Sequence, residues 1–266
     1  MALPLSNNAE GGTAGANVTA GNSGGLSGNA FDVVRGTNVP TFSAAQPAHG
    51  ALGYLLVQSA APALTSLDWD TSLGGNQTNV FGRYSVYVPA LPAATQYASF
   101  VIFDLGGTGT CAVIAIADTG KLLLFDAVGQ TNGATNVNIG SQFRVECHLI
   151  CSATDGVVEV KLWNTLDSAG VPDDVITWTG RNTRASFSAV RHGFDGATLT
   201  SGFQMGLDDI YLTTAGYAGP VLTGRAPNAF QMRAWTRERL TKRRSGLLVP
   251  DHVIWLPRPA HIEFSA

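Results

Sequence analysis

Alternation with a period of two runs through this chain and limits what it can fold into. VFGRYSVYV (80–88) sets Val80, Tyr84, Val86 and Val88 against Arg83, Ser85 and Tyr87, and FRVECHLIC (143–151) and VVEVKLW (157–163) alternate in the same way. Successive side chains of a strand point to opposite faces, so these are half-buried strands. SFVIFD (99–104) and CAVIAIAD (111–118) are apolar on both faces and joined through Gly106, Gly107 and Gly109, which reads as a fully buried hairpin. KLLLFDAVG (121–129) follows, with LGYLLV (52–57), VITW (175–178) and SFSAV (186–190) as shorter strands and no convincing amphipathic helix before residue 228. With 31 Gly and only 13% charged residues, the pattern predicts an all-β fold: a two-sheet antiparallel jelly-roll sandwich with a C-terminal basic extension.

Charge divides the chain. Residues 1–220 hold 8 Lys/Arg against 16 Asp/Glu, whereas residues 221–266 hold 8 against 3. We therefore expect a jelly-roll domain over 1–220 and a basic docking arm over 221–266. Within the arm, Arg233, Trp235, Arg237, Arg239, Arg243, Arg244, Ile254 and Trp255 form a candidate assembly interface, aromatic anchors among arginines that pair with an acidic surface. The partners expected for it are neighbouring subunits, including copies of this chain; a single basic segment on an acidic protein argues against nucleic acid.

One stretch poses a problem for simple alternation. SGFQMGLDDIYLTT (201–214) reads as a strand with adjacent carboxylates, Asp208 and Asp209, so one of the two should point into the core. An unpaired buried carboxylate is costly, so a compensating group is required. Backbone amides, or an arginine such as Arg35 or Arg191, would serve. Cys111, Cys147 and Cys151 read as small buried thiols, with Cys147 and Cys151 facing the way of Phe143, Val145 and Leu149. MALPLSNNAEGG lacks the basic and apolar regions of a secretory leader, and no run approaches the length of a membrane span.

NNAEGGTAG and VTAGNSGGLSGNAFD near the start, GKLLLFDAVGQT and QFRVECHL in the middle, and LDDIYLTTAG near the end carry a resemblance. Over roughly residues 7–216 the chain resembles the laminin-G-like, concanavalin-A-like jelly-roll domains of minor tail proteins from tailed bacteriophages. One departure is Gln142, Phe143 and Arg144 where such domains commonly have a Trp-Tyr-Arg-like step. The resemblance implies a virion structural protein, in the tail or an exterior appendage, that contacts other virion proteins and host-surface polysaccharide. The alternatives are a free carbohydrate-binding module or accessory domain, and a capsid decoration protein. Related carbohydrate-binding sandwiches pair an N-terminal Asn-x-x-Glu-x-Gly element with acids on the last strand around a structural calcium. By that resemblance Glu10, Asp208 and Asp209 are candidate calcium ligands, with Asn7, Asn8 and Gly12 beside Glu10.

For glycans, SLDWDTSLGGNQTN (66–79) reads as a loop that exposes Trp69 between Asp68 and Asp70, an aromatic platform with acidic neighbours. Trp163 and Trp178 are further aromatic candidates. Three enzyme patterns fail on their residues. The hairpin at Asp104–Thr110 lacks the further phosphate motifs of a sugar kinase. GNSGG (21–25) has Asn22 where a serine-protease loop needs Asp. Glu146 and Glu159 stand isolated, without the paired acids of a jelly-roll glucanase. The expectation from sequence is a protein that is not an enzyme, with no cofactor beyond the candidate structural calcium.

Overall fold

Inward apolar side chains from two stacked antiparallel sheets meet in a main core, with a smaller apolar cluster of Ala115, Ala117 and Leu123 apart from it. The structure is a computed structural model, and it describes residues 3–59, 64–105, 109–126, 128–194 and 199–221. The chain divides into two units, Met1–Val221 and Leu222–Ala266. The second unit, with Arg233, Trp235, Arg237, Arg239, Arg243, Arg244, Ile254 and Trp255, lies outside the described residues.

In chain order the strands are β1 (Leu5–Asn7), β2 (Val33–Arg35), β3 (Thr41–Ser43), β4 (Gly53–Val57), β5 (Thr65–Trp69), β6 (Asn79–Tyr87), β7 (Tyr97–Asp104) and β8 (Thr110–Ala117). They continue with β9 (Lys121–Phe125), β10 (Gln130–Asn136), β11 (Gln142–Ile150), β12 (Gly156–Trp163), β13 (Asp174–Arg181), β14 (Ala189–Phe194) and β15 (Gln204–Thr213). Sheet A runs β13-β12-β11-β6-β15-β4-β3, with β1 also paired to β15; sheet B runs β10-β9-β8-β7-β14-β5-β2. Each sheet joins a run of consecutive strands, β11 to β13 and β7 to β10, to strands far apart in sequence, as β6 between β11 and β15 and β14 between β7 and β5 show, which is the crossed connectivity of a jelly-roll sandwich. No helix among the described residues is long and apolar enough to cross a membrane.

The alternation explains the packing. From sheet A, Tyr84, Val86, Phe143, Val145, Leu149, Val158 and Leu162 face sheet B, and from sheet B Phe100, Phe103, Ile114, Ile116, Leu124 and Val190 face them. Each large apolar side chain buried this way contributes about 1.5–3 kcal/mol. Trp69 sits among them, 5.1 Å from the Phe31 ring and 5.1 Å from the ring of His192. Burial pushes the His192 pKa down to about 3, so this imidazole is a neutral core group.

Three expectations change here. The stretch around Trp69 is strand β5 rather than a loop. The final short strand begins at Ala189 and ends at Phe194, later than SFSAV placed it. The polar run QTNGATN forms β10, an edge strand that alternation of apolar residues did not reveal.

Candidate functional site

Cross-strand register on sheet A lines up its outward side chains in rows. The first row is Thr213, Phe81, His148, Glu159 and Thr177, each directly opposite the next across paired strands. The second is Tyr211, Arg83, Glu146, Lys161 and Val175. The third is Asp208, Ser85, Arg144 and Trp163. A sheet face this rich in charge and aromatic rings cannot be core; it is a polar surface partly roofed by loops.

The Asp208–Asp209 problem is solved by a bulge. Asp209 has a φ of +47°, and the β15 to β6 register shifts between Asp208 and Tyr211. One extra residue on β15 therefore lets Leu207 and Ile210 face the core while Asp208 and Asp209 both stay on the outer side. Aspartate is one of the few residues that tolerates this left-handed conformation.

Loops supply the compensating donors. Asp208 Oδ2 accepts from the backbone amides of Ala48 (2.9 Å) and His49 (3.3 Å), and Oδ1 accepts from the Asp209 amide (2.7 Å). His49 Nδ1 lies 2.5 Å from Asp209 Oδ2, and its Nε2 lies 2.9 Å from Asp167, so one imidazole clasps the 44–52 loop to the sheet and to a second loop. Burial pulls the His49 pKa down, but hydrogen bonds and charge from Asp209 and Asp167 outweigh it and the net shift is upward. Asp208 also shifts upward, through burial and then the negative charge of Asp209. Arg144 and Glu146, 2% and 1% exposed, form an ion pair at 2.9 Å. Arg144 also donates to the carbonyls of Leu166 (2.6 Å) and Ser168 (2.8 Å) and lies 4.2 Å over the Trp163 ring.

The first row is the open part. Phe81 and His148 are half-buried and stacked at 3.9 Å with an interplanar angle of 8°. Tyr217, from the segment after β15, meets Phe81 edge-on at 5.0 Å. Lys161 Nζ lies 3.7 Å from the Tyr217 ring centroid and 2.9 Å from Glu159. Glu159 accepts from the Tyr217 hydroxyl (2.5 Å) and from Thr177 Oγ1 (3.3 Å), and Asn79 Oδ1 holds His148 Nε2 at 2.8 Å. Burial and the charge of Lys161 lower the His148 pKa against Glu159. Burial tends to raise the Glu159 pKa, but its bonds to Lys161 and Tyr217 hold it lower. The row thus offers neutral ring faces beside an ionised carboxylate, an ammonium and a hydroxyl.

The predicted site residues fare unevenly. Trp69 is 0% exposed and donates Nε1 to the Ala30 carbonyl at 2.9 Å, so it is core and offers no face to a sugar. Asp68 is buried at 2% exposure against Arg35 (2.7 Å), with Arg191 at 3.9 Å, the two arginines expected near the Asp208 pair. Asp70 caps the short helical turn Thr71–Leu73. Glu10 is not gathered with Asp208 and Asp209: its Oε1 takes the amides of Ala51 and Leu52, both at 2.9 Å. Among the described residues no three His, Cys, Asp or Glu side chains are placed to hold a metal ion. Tyr217 escaped sequence reasoning because it lies beyond the last strand. Phe81 and His148 carry a signal in the sequence, their outward parity on β6 and β11.

No protein-family model matches the chain, and no curated protein does. Among solved structures it is similar to the Trypanosoma rangeli sialidase, at 14% identity and a TM-score of 0.42 over 66% of this chain and 27% of the sialidase. It is also similar to the cellulose induced protein Cip1, at 12% identity and a TM-score of 0.47 over 68% of this chain and 87% of that protein. A third is the catalytic domain of a glycoside hydrolase family 131 protein from Coprinopsis cinerea, at 12% identity and a TM-score of 0.43 over 66% and 75%. The chain spans about a quarter of the sialidase's length. The expectation that the chain is not an enzyme is corrected: the solved structures it is similar to include a sialidase and a glycoside hydrolase catalytic domain. None of the three is a bacteriophage tail protein.

Proposed function

We propose that the outer face of sheet A recognises carbohydrate, with Phe81, His148 and Tyr217 as the stacking platform and Glu159, Lys161 and Thr177 as hydroxyl partners. The observation that carries this reading is the parallel Phe81–His148 stack at 3.9 Å, partly exposed and ringed by charged and hydroxyl groups. Sugar C–H faces pack on rings while their hydroxyls need both donors and acceptors, and this row offers the two together. The reading keeps the carbohydrate-binding module of the sequence analysis and moves its site from Trp69 to the opposite sheet. A virion setting, with residues 221–266 as the docking arm, rests on the loop resemblance and on the arm's composition.

A glycan array probed with the full chain tests it. Oligosaccharides retained on the array should bind the Tyr217→Ala and His148→Ala chains at least tenfold more weakly, a loss of about 1.4 kcal/mol. An array without retained glycans, or equal binding by both variants, would overturn the proposal.

A further inference from the structure

Beside the platform, one step along β6, a cleft of about 300 Å³ opens between β1, the 26–28 turn and the bulge of β15. That volume lies at the low end of the range of about 300–1,000 Å³ usual for small-molecule pockets, room for one compact ring. Its walls include Ser6, Asn8, Leu26, Gly28, Arg83 and Asp209. Arg83 is two residues from Phe81 on the same face of β6, so the cleft and the platform are separated by about 7 Å.

Arg83 is under-satisfied for a guanidinium in this position. Among the described residues its only hydrogen bond is from Nη1 to the Gly219 carbonyl at 3.3 Å and none of their carboxylates forms an ion pair with it, while its Cζ lies 5.4 Å from the Tyr211 ring centroid. Nε is sealed from solvent without a partner. A guanidinium carries five donors, and burying them unpaired is costly. Across the cleft, Asp209 commits Oδ2 to His49 and Ser85 while its Oδ1 makes no hydrogen bond among the described residues. A donor group and an acceptor oxygen thus line one small space.

We infer that this cleft is a second carbohydrate subsite, one that takes a single neutral sugar unit through a pair of adjacent hydroxyls. One hydroxyl accepts from the Arg83 guanidinium and the other donates to Asp209 Oδ1. An anionic sugar fits less well, because Asp209 and Glu146 already surround Arg83 with negative charge. Leu26, 86% exposed, offers an apolar wall for the C–H face of the ring. At Gly28, with φ at +112°, a Cβ would lie 2.3 Å from the Ser6 carbonyl, so the turn that shapes the cleft requires glycine. The inference rests on the proposed glycan-binding role of this face.

The test is saturation-transfer NMR on the full chain with methyl β-glucopyranoside, methyl α-mannopyranoside and glucuronate as probes. At least one neutral methyl glycoside should bind, and more tightly than glucuronate. Arg83→Gln and the cleft-filling Ser6→Trp, at an exposed position, should each weaken it at least tenfold while oligosaccharide binding through Tyr217 persists. Unchanged glycoside binding in both variants, or a preference for glucuronate, would overturn the subsite. So would oligosaccharide binding with no methyl glycoside bound, which leaves the platform standing. Loss of both kinds of binding would overturn the platform as well.

Discussion

Asp208 and Asp209 are adjacent in sequence yet project from the same side of β15, because Asp209 takes up the extra residue of a bulge at a φ of +47°. The carboxylate of Asp209 and its backbone tolerance are separate contributions. Asp209→Asn keeps the tolerance and loses the charge that holds His49, at a cost of about 2 kcal/mol. Asp209→Ala loses both, adding about 1–2 kcal/mol of backbone strain. Urea unfolding of the two variants checks the order, and an alanine variant as stable as the asparagine one would count against the bulge.

The His49 clasp should be pH-dependent. His49 faces Asp209 on β15 and Asp167 on the neighbouring loop, with Asp208 beside them. Since its pKa is raised on folding, the folded chain holds the proton more tightly than the unfolded one. Its contribution is complete below about pH 6.5 and disappears as pH rises through the folded value. The stability gap between the native chain and His49→Gln, followed by thermal melting from about pH 5 to 9, should narrow as pH rises. A gap that stays constant or widens would contradict the clasp.

Arg144 and Glu146 should behave as a unit. Removing one partner by Arg144→Met leaves a carboxylate that is 1% exposed without its counter-charge, a loss of about 3–5 kcal/mol. Adding Glu146→Leu should restore most of that loss. Additive destabilisation in the double variant would show that the two do not interact.

Chelation should leave stability unchanged. Glu10 Oε1 and both carboxylate oxygens of Asp208 already accept backbone amides. Melting with and without EDTA checks this, and a fall of several degrees on chelation would restore Glu10, Asp208 and Asp209 as ion ligands.

Much of this architecture is legible in the chain because β6, β11 and β12 each bury one face, and their alternation writes the outward set, Arg83, Arg144, Glu146, His148 and Lys161, directly into the sequence. Trp69 was misplaced for a physical reason. Two flanking aspartates look like solvent, but Asp68 is matched by Arg35 and Arg191 on neighbouring strands far away in sequence, and Asp70 by a turn. Such cross-strand compensation has no local signature. The bulge at Asp209 is equally hidden, since Asp-Asp in a strand gives parity two answers and only register chooses between them. Tyr217 reaches the platform through chain reversal after β15, which no periodicity encodes.

The most direct measurement of the central claim is chemical-shift mapping of the full chain titrated with an oligosaccharide retained on the array. The account predicts that the perturbed amides cluster on Phe81, His148, Glu159, Lys161 and Tyr217. Perturbations confined to sheet B, around β5 and β14, would contradict it.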